Sequence, residues 1–177
     1  RLRQGMPTCL ARTRLALGRG RSQDRGQDRP LDSYAVVTSA PEKPIAGRLI
    51  DKGLHDELTG TAYAVIDGTD GRTHHVRLPG IEALAHSPKL GGIVDLRGVG
   101  RPGEAKPTLV LATRSDLALA AQVNAPGATW LDRQAIAREP VPLSDSGFGA
   151  EVRQALDERA EHLICEDLAE RQGGRVV

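Results

Sequence analysis

The chain has 177 residues, 39% of them apolar, and a formal net charge of +1. That length allows one domain, or one compact domain with a tail. No stretch approaches the roughly 18 apolar residues of a membrane span, and no apolar segment or small-residue cleavage site follows the basic start, so a cytoplasmic protein is expected.

Residues 1–30 hold eight arginines (Arg1, Arg3, Arg12, Arg14, Arg19, Arg21, Arg25 and Arg29) against Asp24 and Asp28, a charge of +6. The other 147 residues therefore sum to −5. A basic arm on a mildly acidic body points to a polyanionic partner. The run LGRGRSQDRGQDRP has almost nothing to bury, and Pro41 and Pro44 mark the entry to folded sequence. Residues 1–44 are thus read as a disordered basic arm and linker.

From residue 45 to residue 114 the pattern is short strands separated by turn signals. The expected strands are Ile45–Asp51, Thr61–Asp67, Thr73–Leu78, Gly92–Arg97 and Thr108–Thr113. Asp67-Gly68-Thr69-Asp70-Gly71 supplies the glycines and aspartates that tolerate positive φ in a hairpin turn. Leu54–Leu58 reads as a turn or a short helix. Five strands at this spacing predict a small antiparallel β-barrel.

Residues 115–177 read as helical, with the end cut short. Asp116–Val123 is one expected helix. Thr129 caps a second, Trp130–Arg138, in which Trp130, Leu131 and Ile136 anchor the helix while Asp132 and Arg133 point outward. A third starts at residues 144–146 and carries Phe148, Val152 and Leu156 at helical spacing. The fold class is therefore α+β: a barrel of about five strands followed by two or three helices. Tyr34, Tyr63, Trp130 and Phe148 are the only aromatics, so Leu, Val, Ile and Ala must build the core. Cys9 and Cys165 make neither a disulfide framework nor a metal site.

Four groups of residues raise the question of chemistry. His74-His75 sits in a strand, where adjacent side chains point to opposite faces, so the pair does not chelate one ion. His74 should face the core with Val76 and Leu78, and His75 should face out with Arg77. His55-Asp56-Glu57 reads as a solvated turn. Gly98-Val99-Gly100-Arg101-Pro102-Gly103 fits G-x-G-x-x-G, but Pro102 and Pro107 oppose the helix that a phosphate site needs. Tyr63 lies mid-strand and Tyr34 in the linker, which does not favour a nucleophilic role for either. Arg48, Arg77 and Arg97 fall opposite the apolar set. With Arg72 in the turn and His75 beside them, they are the candidate nucleic-acid-binding residues. No catalytic, cofactor or metal residue is assigned.

Three segments, HDELTGTAYAVIDG (55–68), GATWLDRQAIARE (127–139) and GFGAEVRQ (147–154), carry a family resemblance. With them the chain resembles part of the long C-terminal region of bacterial relaxases (mobilization nucleases) of the T-DNA border endonuclease type. The resemblance fades in the first 44 residues. It implies a parent class that binds the transfer origin of a plasmid or integrative element, nicks one strand, stays on the 5′ end and passes to a type IV secretion channel. It also implies that the nicking chemistry sits in an N-terminal domain absent from this chain. The expected role is a non-catalytic accessory DNA-binding or relaxosome module without cofactor. Its expected partner is single-stranded or hairpin transfer-origin DNA. Three rival readings are a docking module for secretion or coupling partners, a metal-dependent nuclease, and a degenerate remnant.

Overall fold

The protein was analysed as a computed structural model that describes residues 33–100, 107–172 and 175–176. The expected disorder of residues 1–32 and the loop 101–106 lie outside the described residues, as do Gly173-Gly174 and Val177.

Six strands form one sheet: β1 (Tyr34–Val37), β2 (Ile45–Asp56), β3 (Thr61–Gly68), β4 (Thr73–Leu78), β5 (Ile93–Val99) and β6 (Thr108–Ser115). Their spatial order is β1-β4-β3-β2-β5-β6. All neighbours are antiparallel except β1, which runs parallel to β4. The five expected strands are present, but the expected closed barrel is corrected to an open sheet. The edge of β4 that would close the barrel is already taken by β1, a strand inside the stretch read as linker.

β2 carries two register shifts, between Leu49 and Asp51 and between Leu54 and Asp56. An extra residue on one strand bends it and sharpens its twist. The second bulge lets β2 continue to Asp56, where a turn or short helix was expected. There the Asp56 carboxylate accepts from Leu58 N (2.9 Å) and Thr59 Oγ1 (2.8 Å), and Gly60 supplies the positive φ of +67° that completes the reversal.

The inner face of the sheet buries Leu49, Ala62, Ala64, Ile66, Val76, Leu78, Val94, Leu96, Leu109 and Leu111. Leu84, on a 3₁₀ turn at Ile81–Leu84 between β4 and β5, completes this core. Burying each of the leucine, isoleucine and valine side chains contributes about 1.5–3 kcal/mol. Small alanines on β3 set opposite large residues on β2 and β4 fill the curled face without aromatic rings.

Three helices pack on the outer face at one end: α1 (Leu119–Val123), α2 (Trp130–Ala135) and α3 (Gly147–Cys165). They enclose a second core of Leu119, Val123, Trp130, Leu131, Phe148, Val152 and Ala155, to which the sheet contributes Ile93. Thr129 caps α2 as expected, in a capping box with Asp132. Ile136 is 84% exposed and does not anchor the helix. Asp132 does not point outward: it pairs with Arg159 of α3 at 3.0 Å. Arg159 is 4% exposed and also donates to the carbonyls of Val123, Ala125 and Gly127. Helical spacing alone did not show this pairing, because Asp132 and Arg159 are 27 residues apart. Beyond α3 the chain forms a two-stranded ribbon, β7 (Arg171–Gln172) with β8 (Arg175–Val176).

Gly149 fixes how closely α3 approaches the β3–β4 turn. A Cβ there would lie 2.3 Å from Thr69 O and 2.5 Å from Ser144 N, and these two atoms are themselves hydrogen-bonded at 2.8 Å. Glycine-to-alanine in a helix ordinarily stabilises by about 1 kcal/mol. Here the sign should reverse. Gly149→Ala is expected to lower stability by about 1–3 kcal/mol through overpacking against backbone, read as a drop in the urea midpoint at constant slope. A gain in midpoint would show that the turn yields freely.

Candidate nucleic-acid interface

The helices cover only the end of the outer sheet face that holds Arg48, Asp67 and Ile93. Among the described residues nothing packs over the other end of β2, β3 and β4, where Tyr63 and His75 are half-buried and Arg77 is exposed. There Tyr63 of β3 and His75 of β4 stack with ring centroids 5.5 Å apart and planes 6° from parallel. Strand register accounts for this. Tyr63 lies opposite Arg77, and Val65 lies opposite His75, so Tyr63 and His75 are diagonal neighbours on the outward face. His55 closes the third side, edge-on to His75 at 6.5 Å and 68°. Arg77 reaches His55 Nε2 with Nη2 at 2.7 Å.

The bulges of β2 shape this patch. Asp51 lies opposite Val65 and Gly53 opposite Tyr63, so both face outward. A Cβ on Gly53 would stand 3.0 Å from the Tyr63 ring, so glycine lets the ring lie low across β2. The Tyr63 hydroxyl donates to Asp51 Oδ2 at 3.1 Å. That hydrogen bond and the carboxylate charge hold the phenol above its ordinary pKa. A phenol shifted this way stays protonated, which suits a stacking ring and opposes a nucleophile.

On β1, Val36 lies opposite His75 and is 75% exposed. The open face is therefore a strip of aromatic, aliphatic and imidazole surface with a guanidinium at one end. Arg72, exposed in the β3–β4 turn, stands at the other end of β4.

The sequence-predicted residues divide accordingly. His75 and Arg77 come together in the patch. Arg97 is exposed on β5 opposite Val110, with β2 and β3 between it and β4. Arg48 is held at the helical end by Asp67 (2.8 Å) and Glu151 (2.9 Å), with its guanidinium 4.7 Å above the Phe148 ring. Burial opposes its charge, but the hydrogen bonds and charges of Asp67 and Glu151 outweigh burial and raise its pKa. Its charge is thus already spent within the fold.

His74 faces inward as expected and is 5% exposed. Its Nε2 meets the Asp70 carboxylate at 3.0 Å, while Nδ1 is buried without a hydrogen-bond partner. Burial opposes the charge of Asp70, but the bonds to His74 and to Arg72 N leave its pKa lowered. This pair braces the β3–β4 turn and stands apart from the patch. Among the described residues, no three His, Cys, Asp or Glu side chains gather as a metal site. No described helix is long and apolar enough to cross a membrane.

Tyr63, His55, Asp51 and Gly53 are the patch residues that the sequence reading did not select. Period-two alternation carried through the Asp67–Gly71 hairpin would have set Tyr63 beside Arg77. His55 and Asp51 were hidden by the bulges, which alternation does not reveal.

The fold and this patch define an α+β protein that presents an open, aromatic sheet face next to a helical layer. The family described as "Protein of unknown function (DUF3363)" matches residues 19–110 and 103–177, and the chain belongs to it. No curated protein and no solved structure matches the chain.

Proposed function

We propose that this chain is a nucleic-acid-binding module that holds single-stranded or hairpin DNA on the outer face of β2–β4, as an accessory part of a conjugative relaxase-type protein. The observation that carries the reading is the open Tyr63–His75 stack with Arg77 beside it. Proteins that bind single strands combine such stacking rings with cationic neighbours. The order β4-β3-β2-β5-β6 supports it by fold analogy: it resembles a five-stranded, partly open OB-type barrel, whose second and third strands carry oligonucleotides. The +6 charge of residues 1–30 supplies phosphate attraction. The relaxase setting rests on the resemblance of the three quoted segments.

The test is fluorescence anisotropy of the full chain with single-stranded, hairpin and duplex oligonucleotides across a salt series. Tyr63→Ala is expected to weaken single-strand binding by about 1–3 kcal/mol, the usual worth of one base–aromatic stack. Arg97→Ala should change it far less. Equal binding of all three DNAs, untouched by Tyr63→Ala, would leave only a nonspecific polycation.

A second reading, docking of a secretion or coupling protein, has one observation in its favour. A groove of about 700 Å³ with an apolar floor of Ala40, Leu78, Pro79 and Leu109 runs beside the start of β6. Among the described residues no strand pairs with the outer side of β6, and a sheet edge of this kind accepts an extended peptide. Retention of a coupling protein by the chain without DNA would favour it.

A further inference from the structure

We propose that the stacking patch is gated by a proton: His55 holds Arg77 away from phosphate, and protonation of His55 releases it. The inference rests on the nucleic-acid reading above. A guanidinium has only N–H donors and no acceptor. The 2.7 Å approach of Arg77 Nη2 to His55 Nε2 therefore requires a lone pair on Nε2. In that arrangement Nε2 is the acceptor and the ring proton sits on Nδ1.

Adding a solvent proton to Nε2 removes that lone pair. The Arg77 N–H···Nε2 bond breaks, and two cations 2.7 Å apart must separate. Both side chains are exposed, so each can swing without disturbing the core. Arg77 is then free to pair with a phosphate beside the Tyr63–His75 stack, and His55 adds a second charge. Imidazole is the side chain whose charge ordinarily changes between about pH 5 and 8.

The surrounding groups fit this assignment. From β2, Asp51 is engaged by Tyr63 and by Lys52 N, and Asp56 by Leu58 N and Thr59. Asp56 is close enough to feel the charge of His55, while Glu57 is exposed in the following turn. From β3, Tyr63 is held protonated. From β4, His75 meets His55 through ring contact. Arg77 itself donates through Nη2 to His55.

The experiment measures anisotropy of the full chain with a labelled single-stranded oligonucleotide at about pH 8 and about pH 5.5, over a salt series, for wild type and His55→Ala. Wild type should bind more tightly at the lower pH. At about pH 8, His55→Ala should bind more tightly than wild type, although it removes a basic residue. Its log–log salt slope should steepen by about 0.7, one more phosphate on a single strand. Its pH dependence should shrink. Equal or weaker binding by His55→Ala at about pH 8 would overturn the gate. A second readout needs no DNA: imidazole nitrogen NMR at about pH 8 should find Nε2 of His55 unprotonated, and Arg77→Ala should remove that bias. A proton on Nε2 overturns the gate whatever binds. Tyr63→Ala in the same assay addresses the stacking reading separately, since wild-type binding by that variant sinks the platform.

Discussion

Replacing Arg159 with leucine is expected to cost about 3–5 kcal/mol of folding stability, the usual penalty for removing one partner of a buried ion pair. All five of its N–H groups are used. Nε and Nη2 meet the two oxygens of Asp132 at 3.0 Å each. Nη1 donates to Val123 O (3.1 Å) and Ala125 O (2.7 Å), and Nη2 to Gly127 O (2.9 Å). Those carbonyls lie at the end of α1 and in the connection to α2, so one side chain of α3 ties together all three helices. Leucine would leave the three carbonyls without this donor and Asp132 with only its hydrogen bonds from Thr129, at a desolvation cost. Lysine, with three donors and no planar fork, should recover only part of the loss.

The same clamp predicts a pH dependence. Burial opposes the charge of Asp132, but hydrogen bonds from Arg159 and Thr129 and the guanidinium charge lower its pKa. A carboxyl whose pKa is lower in the folded state stabilises above its unfolded value, near 4, and loses that contribution as pH falls through the lower folded value. Urea titrations at neutral pH and near pH 3 should therefore show the gap between wild type and Arg159→Leu narrowing in acid. A gap that stays constant would assign the loss to packing of the arginine stem.

Phe148→Ala should be comparably damaging, at about 3–5 kcal/mol. The ring is fully buried, and it stands where the helical core meets the sheet. Its face carries the guanidinium of Arg48, which joins Asp67 of β3 to Glu151 of α3. Truncation would open a cavity and also remove the surface on which that ion-pair bridge rests. Phe148→Leu, which keeps most of the volume, should lose much less. A double-mutant cycle with Arg48→Met should return a coupling of about 0.5–2 kcal/mol, the range for a cation on an aromatic face. No coupling would mean that the ring and the guanidinium merely lie near each other.

Much of the architecture was legible because it follows from local chemistry. Thr73–Leu78 is predicted with the ends it has, since Gly71 and Pro79 bracket an alternating run. The inward turn of His74 follows from Val76 and Leu78 alone, and the cap of α2 from Thr129 with Asp132 three residues on. What stayed hidden depends on distant partners. β1 has only four residues and becomes a strand because β4 offers an edge. The sheet's failure to close depends on that pairing, which no pattern within residues 45–114 announces. The site was half legible. His75 and Arg77 were placed outward by alternation, but the spending of Arg48 on Asp67 and Glu151 required the docking of α3. Tyr63 was passed over because a tyrosine among valine and alanine looks like packing until its neighbours across the hairpin are known.

The bulge at Ile50 means that β2 is written in two reading frames. Up to Leu49 the odd-numbered residues share the core face, whereas Lys52 and Leu54, both even-numbered, take the rows of Ala64 and Ala62. The open face inherits Asp51 and Gly53 only because one residue is spent on the change of frame. For this strand the length of chain between Leu49 and Gly53 therefore matters more than the identity of Ile50, which is 41% exposed. A substitution there leaves both faces in place, whereas the loss of a single residue would turn the floor beneath Tyr63 into the core and bring a core position to the surface.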